Sequence, residues 1–263
     1  MKGKIFNSQE VQAIIAGSKT MFREVIKPCK QHPKSLCKKT RRAHYSIDFT
    51  ENGLFWRPYG GSELQPLPYC DGKLSASNSL DEFCPYQVGQ KIFCKESFLQ
   101  KLGSTQLPSG EHETFFTSSK VEYVADGAQE RWDNPNVFYP NWWKKRPAQH
   151  MKQEHSRLTL EITGIKVERL KDISKEDAIK EGATSRPNCH GYANRYEGWC
   201  MNWNKVGEAS KWASNRKTLS ESDICMGSAQ YAFINSWIAT HKKPEEKFEV
   251  NPFVWVVNFK INK

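Results

Sequence analysis

The stretch that most constrains this chain is 7–28, NSQEVQAIIAGSKTMFREVIKP. Asn7 or Ser8 can cap a helix, and Glu10, three residues after Asn7, can close a capping box with it. Val11, Ile14 and Ile15 form one apolar face, and Gly17 is a ready left-handed terminator. A helix this short is marginal in water and needs a sheet to lie on. The strand-like run Thr20 to Ile26, ended by Pro28, supplies the first piece of that sheet. Lys19 then stands at the mouth of the helix-to-strand turn. Lys19 and Arg23 are an even number of residues apart and face the same side of an extended chain.

The remaining text reads as more strands than helices. Lys4-Ile5-Phe6 is a first strand. From 29 to 85 the chain is irregular and holds one predicted hairpin, Ala43 to Phe49 against Leu54 to Pro58 across Glu51-Asn52-Gly53. A turn at Val88-Gly89 leads into a strand ending near Phe98, and a second runs from Val121 to Ala125. Leu158 to Ile162 and Ile165 to Leu170 are alternating runs hinged at Gly164, either a hairpin or one bent strand. Ser174 caps a short helix through Glu181, with Gly182 as its stop. Residues 183–221 show no period and form a second insertion. Ser222 or Asp223 starts a longer helix toward His241, and Pro252 to Phe259 is the most strand-like text in the chain. The expected architecture is α+β: one domain over 1–263, a mixed β-barrel with short helices at its ends and two irregular insertions.

Charge is unevenly placed. The chain of 263 residues carries a formal charge of +10. Residues 1–42 hold 11 Lys/Arg against 2 Glu, and the remainder 28 against 27. A basic end of this kind attracts polyanions, although a solvated basic segment produces the same count. The 9 Trp, 9 Tyr and 14 Phe argue against disorder. No run approaches the roughly 18 apolar residues of a membrane span, and no apolar leader opens the chain. Eight cysteines without an export signal read as reduced thiols, so the expected compartment is the cytoplasm.

Several residue sets have the chemistry of a site. Lys19 and Arg23 could hold a phosphate or polarise a carbonyl. Their acidic partner is either Glu96 or Glu181, each able to serve as a general base beside a cation and each equally readable as a structural salt bridge. Cys29, His32, Cys37 and His44 have the residue types and short spacings of a structural zinc site, with Cys70 and Cys84 as alternative ligands, set against buried or incidental thiols. Trp142-Trp143-Lys144-Lys145-Arg146 mixes aromatic planes with cations, as single-stranded nucleic-acid binding uses them. Tyr192, Tyr196, Trp199, Trp203 and Trp212 crowd the second insertion, where most are expected to staple it to the barrel. A Walker loop, a dinucleotide glycine motif and a catalytic-triad motif are all missing, so no ATP- or NAD-dependent chemistry is expected.

Residues 14–20, IIAGSKT, resemble the opening motif of ASCH domains, members of the PUA-like superfamily of small β-barrels. Residues 84–90 (CPYQVGQ), Lys95-Glu96, 146–151 (RPAQHM), 156–160 (SRLTL), 167–182 and 251–256 (NPFVWV) are similar to a longer branch encoded by phages and prophages. The resemblance implies a barrel pocket that handles RNA or a modified nucleoside, inside a bacterial host's cytoplasm. Relatives include RNA-binding modules, ribonucleases, and amidohydrolases that deacetylate acetylcytidine with a lysine, a threonine and a distant glutamate. Matched residue by residue, the lysine falls on Lys19 and the glutamate on Glu181, while the threonine position is Phe22. Phenylalanine has no hydroxyl, so the resemblance carries the pocket rather than the threonine chemistry.

The leading expectation is recognition of RNA or a modified base by a pocket of Lys19, Arg23, Glu96, His150, Arg157 and Glu181. Lys27, Arg41, Arg42, Lys144, Lys145 and Arg146 would steer phosphates, with single-stranded DNA as a further substrate. For His150 a structural role is the plainer reading, and for Arg157 an ion pair with Glu96. Two rivals stand beside this one. The first is a ribonuclease or modified-nucleoside hydrolase with Lys19 as electrostatic stabiliser and Glu181 or Glu96 as base. The second is an accessory factor that binds a host protein through its aromatic insertion.

Overall fold

The computed structural model describes residues 1–26, 45–50, 53–58, 65–66, 69–70, 73–74, 84–132, 142–190, 196–207 and 219–262. In chain order the elements are β1 (Lys2–Ile5), α1 (Ser8–Ile15), β2 (Met21–Val25), β3 (Tyr45–Thr50), β4 (Gly53–Pro58), β5 (Gln65–Pro66), β6 (Tyr69–Cys70), β7 (Lys73–Leu74), β8 (Lys91–Lys95), β9 (Phe98–Gln106) and β10 (His112–Tyr123). They continue with β11 (Arg131–Trp132), β12 (Trp142–Arg146), β13 (Thr159–Arg169), α2 (Lys175–Lys180), β14 (Thr184–His190), β15 (Tyr196–Cys200), α3 (Glu221–Ile224), α4 (Ala229–Thr240) and β16 (Phe253–Asn262).

The central sheet has the order β1-β8-β13-β16-β2, parallel between β1 and β8 and antiparallel elsewhere. β16 is buried on both faces. Phe253, Trp255, Val257 and Phe259 enter one core with Phe6, Phe22 and Val11 and Ile14 of α1. Val254 and Val256 enter a second core with Met21, Val25 and the apolar side of α4. This strict alternation is what a central antiparallel strand between two layers requires.

The chain is therefore α+β and strand-rich, but the expected closed barrel gives way to open sheets among the described residues. The central sheet rolls until its two outer strands meet through side chains. Lys4 Nζ on β1 lies 2.6 Å from Glu24 Oε2 on β2, and the Phe6 and Phe22 rings are 5.9 Å apart, edge to face. Side chains, rather than a backbone ladder, bridge these edges.

A second sheet, β10-β9-β12-β11, carries the Trp142–Arg146 stretch. The predicted hairpin in the first insertion is present as β3 and β4, joined by β5. The two runs around Gly164 are one strand, β13, with its register shifted between Ile162 and Gly164. Two expectations fail in the C-terminal third. The aperiodic second insertion contains the antiparallel β14-β15 pair, in which three β14 residues face only one of β15 between Arg186 and His190, so its side chains lose the alternation a strand would show. The long helix is two helices, because Cys225 leaves helical geometry and Ser228 caps α4 afresh by accepting from the Tyr231 amide. Among the described residues no helix is long and apolar enough to cross a membrane.

Candidate functional site

The opening stretch folds as its residues dictate. Asn7 Oδ1 accepts from the Glu10 amide and Glu10 Oε2 accepts from the Asn7 amide, both at 2.9 Å, completing the box. Gly17, at φ +76°, ends the helix, and the Ser18 and Lys19 amides both return to the Ala13 carbonyl. Lys19 then forms an isolated antiparallel bridge with Glu181, and the Thr20 amide donates to Lys180 O at 2.8 Å. Glu181 is the C-terminal cap of α2, followed by Gly182 at φ +109°. A Cβ on Gly182 would stand 3.6 Å from that of Lys19, an ordinary contact, so glycine there answers to the backbone angle.

Three residues far apart in sequence therefore converge. Lys19 Nζ donates to Glu181 Oε2 and to the Glu181 backbone O, each at 2.8 Å, with Glu10 Oε1 at 3.5 Å. Arg23 Nη1 donates to Glu181 Oε1 at 3.0 Å, and Nη2 reaches Glu168 Oε1 at 2.5 Å and Asp177 Oδ2 at 3.2 Å. Lys166 Nζ lies 2.8 Å from both Glu168 Oε2 and Asp177 Oδ2. Lys19, Arg23 and Glu181 are 3%, 6% and 4% exposed. Burial opposes the Lys19 charge, yet Glu181 and Glu10 outweigh it and hold the ammonium above the ordinary lysine range. The Asp177 carboxyl is likewise desolvated, but Lys166 and Arg23 keep it below the usual range.

This cluster floors a cleft of about 290 Å³. One wall is α1, with Asn7, Glu10 and Ala13; another is α4, with Phe233, Trp237 and His241; Met201, Asn202 and Lys205 follow β15 and close the third side. The Asn204 Nδ2 donates to Gln12 Oε1 at 3.0 Å and ties that turn to α1. His241 stacks on Trp237 with ring centroids 3.6 Å apart and planes within 5°. Burial lowers the His241 pKa, so the imidazole is neutral at neutral pH. The Trp237 Nε1 donates to Glu246 O at 2.8 Å, which fixes the indole. Two buried donors on the cleft lining, Arg23 Nε and Asn202 Nδ2, have no hydrogen-bond partner among the described residues.

The other expected site residues lie elsewhere. Glu96, 1% exposed, is gripped by Arg157, with Nε to Oε1 and Nη2 to Oε2 both at 3.0 Å, and Arg157 Nη1 reaches Asp126 Oδ2 at 2.6 Å. The Arg157 guanidinium lies 4.0 Å from the Tyr123 ring centre. Burial outweighs Arg157 and raises the Glu96 pKa. Neither residue lines the cleft, so their inclusion with Lys19 is corrected: Arg157 is the ion-pair partner of Glu96. His150 is exposed on a short 3-10 turn, Ala148–His150, and is likewise outside the cleft. Lys144 and Lys145 are exposed on β12, and Arg146 donates to Gln100 Oε1 at 2.9 Å. Lys27, Arg41, Arg42 and the Cys29/His32/Cys37/His44 set lie outside the described residues. Cys84 is buried, and no described group of three or more His, Cys, Asp or Glu is arranged to hold a metal ion.

Residues the sequence reading did not assign to the site include Glu10, read only as a cap, and Trp237, read only as a helix face. Asn202 and His241 carried no signal of their own. Phe22, buried, is packed among Phe6, Tyr86 and Phe259 and adds a hydroxyl-free ring to the cleft lining. Comparison with family models, curated proteins and solved structures returns no match.

Proposed function

We propose that this chain recognises RNA or a modified nucleobase in the Lys19 cleft, as the ASCH-like, PUA-like resemblance of its motifs implies. The observation that carries the reading is the convergence of Lys19, Arg23 and Glu181 on the floor of one cleft. The flat His241-Trp237 pair beside that floor suits a planar ring, and the unpartnered donors suit its carbonyl oxygens. The net charge of +10 favours a polyanionic or phosphate-bearing partner.

Recognition fits the geometry better than hydrolysis. Lys19 donates twice to Glu181 with Glu10 3.5 Å away, both Glu181 side-chain oxygens are engaged by cations, and among the described residues no hydroxyl is hydrogen-bonded to either side chain. The threonine-dependent chemistry of the amidohydrolase relatives needs a hydroxyl at this place, and the matching position is Phe22. Calorimetric titration with the four ribonucleosides, base-acetylated cytidine and a short single-stranded RNA tests the reading. Binding to at least one probe is expected, weakened at least tenfold by Glu181→Gln with the circular dichroism spectrum unchanged. Absence of binding by every probe overturns it, and release of acetate or cleaved RNA moves the protein to the hydrolase class.

A further inference from the structure

One carboxylate beside Lys19, on the cleft wall, stands outside the balanced ion-pair network at and beneath the cleft floor. Lys19, Arg23 and Lys166 are matched by Glu181, Glu168 and Asp177, three cations against three carboxylates in one connected network. Glu10 is the fourth carboxylate. Its contact to Lys19, 3.5 Å, is longer than the two 2.8 Å contacts from Glu181 to the same ammonium. Its side chain is 33% exposed, against 5% for Glu181, and it stands on the cleft wall. Its other oxygen is anchored by the Asn7 amide, so the carboxylate is presented to Lys19 by the helix cap.

Resting on the cleft reading above, we infer that Glu10 stands in for the ligand: its carboxylate occupies the Lys19 position that an oxyanion of the bound molecule, carboxylate or phosphate, takes over. An ammonium with three protons, buried to this degree, keeps a third acceptor at all times. A neutral ligand that displaced Glu10 would remove that acceptor's charge, whereas an oxyanion restores it. Arg23 Nε and Asn202 Nδ2, buried without partners on the same lining, are the donors such a group would satisfy beside Lys19. Glu10 thereby tunes affinity by charge: it competes with an oxyanion for Lys19, and a neutral ligand binds beside it and leaves it in place.

The test uses the full chain, with orotate and uridine 5′-monophosphate as carboxylate and phosphate probes and uridine as the neutral control. Glu10→Gln keeps an oxygen for the Asn7 amide and removes the charge at Lys19. The expected result is that one oxyanion binds about tenfold tighter to Glu10→Gln, a factor typical of one charge-assisted contact, while uridine affinity stays unchanged. Whichever probe gains identifies the source of the oxyanion. The gain persists at 0.5 M salt, where long-range repulsion is screened, because direct displacement is involved. Glu10→Ala, which also gives up the cap, shows the same gain. Equal or weaker oxyanion binding by both variants, with wild-type binding intact, overturns this inference and leaves the cleft reading standing. Binding of no probe by any of the proteins overturns both.

Discussion

Among the described residues the carboxylates most completely removed from water are Glu181 and Glu96, and each is held by arginine. Glu181 divides its oxygens between two cations, Lys19 and Arg23, and sits on the floor of a cleft. Glu96 gives both oxygens to a single guanidinium whose far side is tied to Asp126 and Tyr123. The first arrangement adds a further, part-exposed carboxylate, Glu10, and two buried donors without a partner among the described residues beside a cleft, and the second pairs its carboxylate with one guanidinium. Burial and pairing, which the two share, do not designate a site; unfinished pairing next to open space does.

That contrast can be broken most directly through stability. Glu181→Ala leaves Lys19 and Arg23 buried without their shared acceptor and is expected to cost about 3–5 kcal/mol in denaturant unfolding. Arg157→Met leaves a carboxylate that takes up a proton, so its cost is expected at about 1–3 kcal/mol. If both variants lose the same amount at neutral pH, the two clusters are energetically alike and the distinction fails.

Binding sharpens the comparison next. His241→Ala removes the ring stacked on Trp237 and is expected to weaken nucleoside binding about threefold to tenfold, within the range of one stacked base contact. Arg157→Met, in the closed cluster, leaves affinity within twofold. Calorimetry on both variants decides the matter.

Acid separates the two clusters by sign. Asp177 titrates below its ordinary value near 4, so its contribution to stability is present above that pH and is lost as pH falls through the depressed folded pKa. Glu96 titrates above its ordinary value near 4.3, so its contribution is present below that pH and is lost as pH rises through the raised folded pKa. Carboxyl carbon-13 shifts followed by NMR should place the two titrations on opposite sides of their reference values. Shifts in the same direction would contradict the assignment. The smallest effect is expected on β12. Lys144→Ala with Lys145→Ala should change stability by less than about 0.5 kcal/mol and lower the salt dependence of RNA binding by roughly two counterions, measured by filter binding across salt concentrations.

The parts of the fold that were legible in the sequence are those whose signals are local. The Asn7-Glu10 box, the Gly17 stop, the Ser174 cap and the alternation of β16 each need only a few neighbouring residues to be read. Lys19, Arg23 and Glu181 could be nominated because a helix-to-strand turn and a capped helix end have known directions. Their meeting is tertiary, as is the separation of Glu96 and Arg157 from them, and no spacing encodes either. Rolling without closure was also illegible, since it turns on Lys4 and Glu24 pairing across the sheet's edges. Glu10 escaped notice for a different reason: one oxygen serves the cap, which the sequence shows, and the other serves Lys19, which it does not.

The pairing of β2 has a consequence for how the molecule comes into being. Among the described strands β2 has a single ladder partner, β16, which lies at the far end of the chain. A nascent chain that has released Lys19 and Arg23 must keep them waiting until β16 has been made. Such long-range closure is slow and leaves an exposed, basic, partly apolar segment in the interval. The cleft thus forms only after β16 has been made, and loss of β16 would remove the site before it disturbed the β9-β10 hairpin.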